Sequence, residues 1–164
     1  MKAAGGILPI PDCAGRRFAI VAARFYEELA GTLVDGAKRA LSACNVEDEG
    51  IAVFDVPGCF ELPLACRNLI ASGRFDAVVA LGVVIRGETP HFDFVAGECA
   101  RGIMEVQLAT GTPIGFGVLT TENLAQAQER AAPERGDKGF AAALAAAQVL
   151  CAAPAPDSDQ GRRN

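Results

Sequence analysis

An unbroken run of apolar residues, 77–85, constrains the fold of this chain more than any other stretch. The run is rich in valine, shows no alternation of polar and apolar positions, and is much too short to cross a bilayer. Such a run is typical of a parallel β-strand that is buried on both faces of a sheet. We therefore expect residues 77–85 to form the central strand of a parallel sheet.

A turn and the start of a helix follow this strand directly. Gly87 can adopt turn conformations closed to other residues, Thr89 is a good N-cap, and Pro90 suits the first position of a helix. Free backbone N–H groups and the positive end of a helix dipole meet at such a junction, which favours an anion, above all phosphate. Arg86 adds a positive charge, and His91, the single histidine, adds a titratable base. A lone histidine is more often structural than catalytic, so both interpretations stay open here.

Composition limits the classes of partner. The net charge of −5 argues against nucleic acid as the main partner, and no apolar run reaches the length of a membrane span. Hydrophobic residues make up 51% of the chain, and we expect part of this apolar surface in contacts between subunits. The N-terminal residues lack the apolar core of a signal peptide, which favours a cytoplasmic protein.

The six cysteines show no metal-binding pattern. They form no CxxC pair and no zinc-like grouping with the single histidine, so no metal site is predicted. Most of them lie among apolar neighbours, and we expect small buried side chains, reduced in a cytoplasmic protein. Cys59 differs because it follows a predicted strand directly.

The hydrophobic pattern as a whole predicts four strands that alternate with helices. The predicted strands are 18–23, 51–56, 77–85 and 114–119. Helices are expected to end near residues 44, 72 and 110, and a short helix over 123–131 precedes an alanine-rich helix that Asp137 or its neighbour caps. This alternation gives a three-layer α-β-α sandwich around a four-stranded parallel sheet. We expect an irregular arm over residues 1–15, one domain over 16–152, and a disordered tail over 153–164.

Ligands bind sheets of this kind at the carboxyl ends of the strands. Phe25 and Phe60 follow two of the strands and offer flat apolar faces for a planar heterocycle. Glu61 can accept hydrogen bonds from hydroxyl groups, and His91 can move protons. Each residue alone is better explained as an ordinary core or surface residue, and it is their convergence at one edge of the sheet that indicates a site. The chain has no GxGxxG fingerprint, no Walker loop and no GxSxG elbow.

Three longer motifs carry more information than these single residues. They are VPGCFELP at 56–63, ALGVVIRGETPHFDFV at 80–95, and FGVLTTENL at 116–124, followed by QAQER at 126–130 and DKG at 137–139. Together they resemble the lumazine synthases, with a likeness from about residue 17 to residue 150. The resemblance implies a flavodoxin-like fold and an enzyme of riboflavin biosynthesis that needs no cofactor and no metal. Its reaction would condense 5-amino-6-(D-ribitylamino)uracil with 3,4-dihydroxy-2-butanone 4-phosphate, giving 6,7-dimethyl-8-ribityllumazine, phosphate and water.

The resemblance also implies a role for each matching residue. The pyrimidine ring and its ribityl chain would be bound by Phe25, Cys59, Phe60, Glu61, Val83, Val84 and Ile85. The phosphate would be bound by the turn Gly87, Glu88 and Thr89, and the proton shuttle would be His91. A neighbouring subunit would contribute Phe116, Arg130 and Lys138. Of these, Arg130 would pair with the phosphate, for which a guanidinium fork is well suited.

The family forms pentamers, and some members assemble sixty-subunit shells, so the resemblance implies a homo-oligomer. The short loop 132–137 favours the icosahedral shell, whereas Pro9 and Pro11 disfavour an arm that pairs with a neighbour. The chain departs from the family pattern at four positions: Tyr26 where Asn is frequent, Cys59 where Ala or Ser is usual, Asp137 where Asn is common, and Gly115 where a bulkier residue is found.

Three other functions remain open from the sequence. The chain could be a flavin- or lumazine-binding paralogue that lost turnover, a structural shell protein, or a riboflavin synthase of related fold. His91, Arg130 and Glu61 favour the enzyme, and a structural shell protein would not require His91 and Arg130 at these positions. We expect Cys59 to fill space rather than to react.

Overall fold

The computed structural model describes residues 8–152, so the start of the predicted arm and the predicted tail lie outside the described residues. The strands are β1 (Phe18–Ala23), β2 (Ile51–Val56), β3 (Ala77–Ile85) and β4 (Ile114–Thr121). The helices are α1 (Glu27–Ala43), α2 (Leu62–Ala71), α3 (His91–Thr110), α4 (Leu124–Ala131) and α5 (Lys138–Ala152). Short 3₁₀ turns precede β2 and α2, at Asp48–Gly50 and Cys59–Glu61.

The four strands form one parallel sheet in the order β2-β1-β3-β4. Strand β3 pairs with β1 on one side and with β4 on the other, and its residues are buried up to Val84. Burial on both faces explains why this strand is a continuous apolar run. The predicted three-layer sandwich and its central strand are confirmed.

Two apolar cores lie on the two faces of the sheet. One face is covered by α1, α4 and α5, and the other by α2 and α3. The predicted apolar stripe of α3 packs against the second core, where Cys99 and Ile103 are buried. The layers leave the carboxyl edge of the sheet uncovered, and this edge is where the candidate site lies. Among residues 8–152, no helix has both the length and the apolar character needed to cross a membrane.

Glycines let the alanine-rich helix α5 approach its neighbours closely. A Cβ on Gly115 would overlap the carbonyl oxygen of Ala142, and a Cβ on Gly139 would overlap that of Leu33. Gly115 was one of the departures from the family pattern, and the packing of α5 on β4 accounts for it, because no side chain fits between the two elements.

The prediction of small, buried and reduced cysteines does not hold for two of the six. A disulfide joins Cys13 to Cys151, 138 residues apart, and so links the arm to the end of α5. The arm also lies on its own subunit through hydrogen bonds, with the Gln148 amide donating to the carbonyls of Leu8 and Pro9 at 3.5 and 3.3 Å. The fold brings the two Cα atoms within 5.8 Å, a proximity that sequence spacing does not reveal. Free, buried thiols are found at Cys44, Cys59, Cys66 and Cys99.

Candidate active site

A cleft of about 660 Å³ opens where the chain leaves β1, β2 and β3. We call it the first cleft. The sequence-predicted residues that line it are Phe25, Cys59, Phe60, Glu61, Val83, Val84, Ile85, Gly87, Thr89 and His91. Glu88 lies in the same turn but is exposed and does not line the cleft. Three predicted strand ends thus converge on one cavity, as the position of sites in parallel sheets led us to expect.

Aromatic rings form two sides of the first cleft. Phe25 is 76% exposed and Phe60 is 60% exposed, so both rings present apolar surface at the cleft. The Phe25 ring meets the ring of Tyr26 edge to face, with centroids 5.1 Å apart. Their exposed faces suit a planar, partly apolar ligand.

The 3₁₀ turn after β2 places Cys59 and Glu61 at the cleft. Cys59 is buried, and a Cβ on Gly82 would lie 2.5 Å from its Sγ atom, so the glycine in β3 makes room for the thiol. Burial raises the pKa of Cys59 to about 11, against the smaller opposing effect of a backbone hydrogen bond with Val83. The thiol therefore stays protonated at neutral pH. Glu61 is exposed, and its carboxylate is free to accept hydrogen bonds from a ligand.

The turn before α3 brings backbone donors and the histidine to the same cleft. Helix α3 begins at His91, one residue later than predicted, and the Thr89 hydroxyl accepts from the His91 N–H at 3.4 Å. The first amides of this twenty-residue helix lie beside Gly87 and Thr89 in the lining. A helix start of this kind favours an anion.

The side chain of Arg86 is held by groups that do not belong to the anion site. Its guanidinium donates to Glu122 at 2.8 Å and to Asp93 at 3.3 Å, and it lies 4.3 Å from the centroid of the Phe92 ring. The hydrogen bond to Glu122 is the main cause that raises the pKa of Arg86. Arg86 does not line the first cleft, because its guanidinium is directed to Glu122 and Asp93.

The three residues expected from a neighbouring subunit lie in a different place. Phe116, Arg130 and Lys138 line a second cleft of about 450 Å³, between β4, the end of α4 and α5. The two clefts share no lining residue. Arg130 donates to the backbone carbonyl of Gln126 at 3.3 Å, and within residues 8–152 neither Arg130 nor Lys138 takes part in an ion pair. One subunit therefore presents the predicted residues as two separate surfaces.

Several lining residues were not predicted as site residues. Gly58, Phe92, Phe94 and Val95 also line the first cleft, as does Tyr26. Phe94 is 65% exposed and follows His91 by three residues, so both lie on one side of α3, away from its buried stripe. That spacing was the signal in the sequence. In the described part of the chain, no cluster of three or more His, Cys, Asp or Glu side chains is arranged to bind a metal.

Known proteins resemble this chain over most of its length. A family model described as 6,7-dimethyl-8-ribityllumazine synthase matches residues 15–153. The chain is 49% identical over 151 residues to the 6,7-dimethyl-8-ribityllumazine synthase of Edwardsiella ictaluri, covering 92% of this chain and 95% of that protein. It is 47% identical over 139 residues to the protein of the same name from Chlorobium chlorochromatii, covering 85% of this chain and 90% of that protein.

Proposed function

This chain belongs to the 6,7-dimethyl-8-ribityllumazine synthase family, and we propose that it works through a site built between two copies of the chain. It is a transferase of riboflavin biosynthesis that makes 6,7-dimethyl-8-ribityllumazine. The observation that carries the proposal is the separation of the two clefts. The first cleft holds the histidine and the aromatic rings, and the second holds the two cationic side chains without an ion pair.

In this proposal the first cleft binds the ribitylaminouracil. The ring of Phe25 stacks on the pyrimidine, while the backbone of Val83, Val84 and Ile85 contacts its polar edge. The Cys59–Glu61 turn lines the ribityl chain, whose hydroxyl groups donate to the Glu61 carboxylate. The support is the exposure of Phe25 and Phe60 and the unpaired carboxylate of Glu61 at the same cavity.

The turn Gly87, Glu88 and Thr89 binds the phosphate of the dihydroxybutanone phosphate through backbone N–H groups. Since Arg86 is already paired with two carboxylates, the cationic partner of the phosphate is Arg130 of a neighbouring copy, aided by Lys138. Imine formation, loss of phosphate and ring closure follow. The protein contributes mainly by positioning the substrates, and His91, the first residue of α3, transfers protons.

A homo-oligomer, most simply the pentamer of the family, brings the second cleft of one copy to the first cleft of the next. The outer side of α3 supports such contacts, because Phe94, Met104 and Leu108 are 65%, 51% and 77% exposed. With Gly97 and Arg101 they repeat at alternating spacings of three and four, the pattern of a helix that packs against another helix. A sixty-subunit shell and a cytoplasmic location complete the proposal.

The first test mixes both substrates with purified protein and follows the absorbance of the lumazine against a blank without protein. Product above the blank supports the activity. A rate equal to the blank, together with tight binding of riboflavin or the lumazine, would instead favour the non-catalytic paralogue.

A site shared between two copies of the chain can be tested with pairs of variants. His91→Ala impairs the first cleft, and Arg130→Ala impairs the second and raises the KM for the phosphate substrate. When the two variants are co-assembled in equal amounts and assayed with the phosphate substrate well below the raised KM, about a quarter of the interfaces combine two intact clefts, so activity rises toward about a quarter of that of the wild type, above the tenth or so that His91→Ala alone retains. Arg135→Ala is the control, since Arg135 pairs with Glu129 and does not line the second cleft. No recovery on co-assembly would mean that each site is built within one copy.

A further inference from the structure

The loop between α4 and α5 ends in an unusual residue. Asp137 has a φ of +43°, and within residues 8–152 only Asn45 is another non-glycine residue with a positive φ. Aspartate tolerates this left-handed conformation better than most residues, but the conformation still needs support from its surroundings. Here the support comes from α1. The Asp137 carboxylate accepts two hydrogen bonds from the guanidinium of Arg39, each 2.9 Å long.

Neighbouring groups are shaped to accommodate this pair. A Cβ on Gly36 would lie 2.8 Å from Oδ1 of Asp137 and 2.9 Å from the backbone nitrogen of Phe140, so only glycine fits at that position of α1. The Arg39 guanidinium also lies 5.8 Å from the centroid of the Phe140 ring. A two-fold hydrogen bond, a close glycine and an aromatic contact therefore fix the start of α5 on α1.

The backbone of Asp137 extends this link in both directions. Its N–H donates to the carbonyl of Ala132 at 3.0 Å, and its carbonyl accepts from the N–H of Ala141 at 3.0 Å. The first of these hydrogen bonds links Asp137 to the beginning of the loop, and the second links it to the first turn of α5. Asp137 directly precedes α5, at the position predicted for the capping residue, and its side chain is directed to Arg39.

Residues on both sides of this loop line the second cleft. Lys138 follows Asp137 directly, and Arg130 lies at the other end of the loop. Gly136 packs against the Arg130 backbone, since a Cβ on Gly136 would lie 2.6 Å from the Arg130 Cα atom, and the Gly136 N–H donates to the carbonyl of Glu129 at 3.1 Å. A shift of Asp137 would therefore move both cationic residues.

We propose that the Arg39–Asp137 pair positions Lys138 and Arg130 for the phosphate of the substrate. Arg39 and Asp137 do not line the second cleft themselves, so they are positioning residues and act through the loop. This inference rests on the proposed function. It also gives a role to Asp137, one of the positions at which the chain departs from the family pattern.

The test compares Arg39→Ala and Asp137→Ala with the wild type in the full chain. The KM for the dihydroxybutanone phosphate is expected to rise about tenfold in each, while the KM for the pyrimidine changes less than about twofold. Both substitutions break the same link. The KM of the double variant for the phosphate substrate is therefore expected to be no higher than that of the more impaired single variant. Asp137→Asn keeps an acceptor and the left-handed backbone, so it provides a milder variant with an intermediate KM if Asp137→Ala folds poorly.

Arg135→Ala is the matched control, because it removes an ion pair of the same loop that does not reach α1. A merely structural role would lower the melting temperature of the Arg39 and Asp137 variants but leave both KM values unchanged, and that result would overturn the inference. A second readout is the Kd for inorganic phosphate, which does not depend on turnover. The Kd is expected to rise about tenfold in Asp137→Ala. A Kd equal to that of the wild type, or no phosphate binding by the wild type, would overturn the inference, whereas phosphate binding without lumazine formation would overturn only the proposed function.

Discussion

Replacement of Gly115 by alanine tests the packing of α5 on the sheet. The added Cβ would overlap the Ala142 carbonyl oxygen and lie 2.9 Å from the carbonyl carbon of the same residue and 3.3 Å from the Ala146 Cβ. An ordinary contact begins at 3.4 Å, so the carbonyl carbon at 2.9 Å alone requires a shift of 0.5 Å, and the overlap with the nearer carbonyl oxygen requires α5 to move further than that. The atoms in the way belong to a helix backbone and cannot rotate aside.

The expected cost follows from these contacts. Overpacking of a core costs about 1–3 kcal/mol, and a clash with backbone places this substitution near the upper end. Removing a glycine from a strand returns about 0.5–1 kcal/mol. The net loss in the free energy of unfolding is therefore about 2 kcal/mol, which lowers the melting temperature by about 4–8 °C for a chain of this size.

The assay is urea or thermal unfolding of the wild type and the variant at one protein concentration, because the stability of an oligomer depends on concentration. Gly31→Ala in α1 is the matched control. Nothing lies within 4 Å of a Cβ at Gly31, so this substitution is expected to raise stability by about 0.5–1 kcal/mol. If Gly115→Ala is as stable as the wild type, the close approach of α5 to β4 is refuted.

Three further predictions concern single side chains. His91→Ala lowers turnover about tenfold, because water replaces a proton shuttle only in part, and an unchanged rate would remove His91 from the mechanism. Cys151→Ser lowers stability by up to about 5 kcal/mol under oxidising conditions, since the disulfide with Cys13 closes a loop of 138 residues, and equal unfolding curves with and without reductant would contradict this. Burial raises the pKa of Cys59 to about 11 and that of Cys66 to about 12, so labelling by a thiol reagent is slow at pH 7.5 and accelerates toward pH 11. Rapid labelling of either thiol at pH 7.5 would refute the burial described.

The strands were largely predictable from local sequence. The bounds of β1, β2 and β3 agree with the prediction to the residue, because each apolar run meets a turn or a charged residue at its ends. Strand β4 extends two residues further, to Thr121, because Thr120 and Thr121 pair with Val84 and Ile85 of β3. That extension is decided by pairing with β3, and the preference of threonine for strands agrees with it.

Long-range partners could not be predicted in the same way. The direction of the Arg86 guanidinium depends on Glu122, and the oxidation of Cys13 depends on Cys151. In both cases the side chain has several possible partners in the sequence, and only the fold selects one of them. The residues of the first cleft could be predicted from the sequence, because the strands of a parallel sheet all end at its carboxyl edge.

The distribution of charge over the two clefts makes a final prediction about assembly. The lining of the first cleft contains one carboxylate, Glu61, and no arginine or lysine, and the nearby Arg86 is paired with Glu122 and Asp93. A phosphate bound there by backbone groups alone would meet a chain of net charge −5 without a cation. Under the shared-site proposal, the missing charge comes from Arg130 of another copy, so assembly supplies a chemical group as well as stability. Activity per chain is then expected to fall on dilution below the concentration at which the oligomer dissociates, as followed by light scattering alongside the lumazine assay. Full activity from a monomer would show that one chain holds a complete site and would overturn the shared-site proposal.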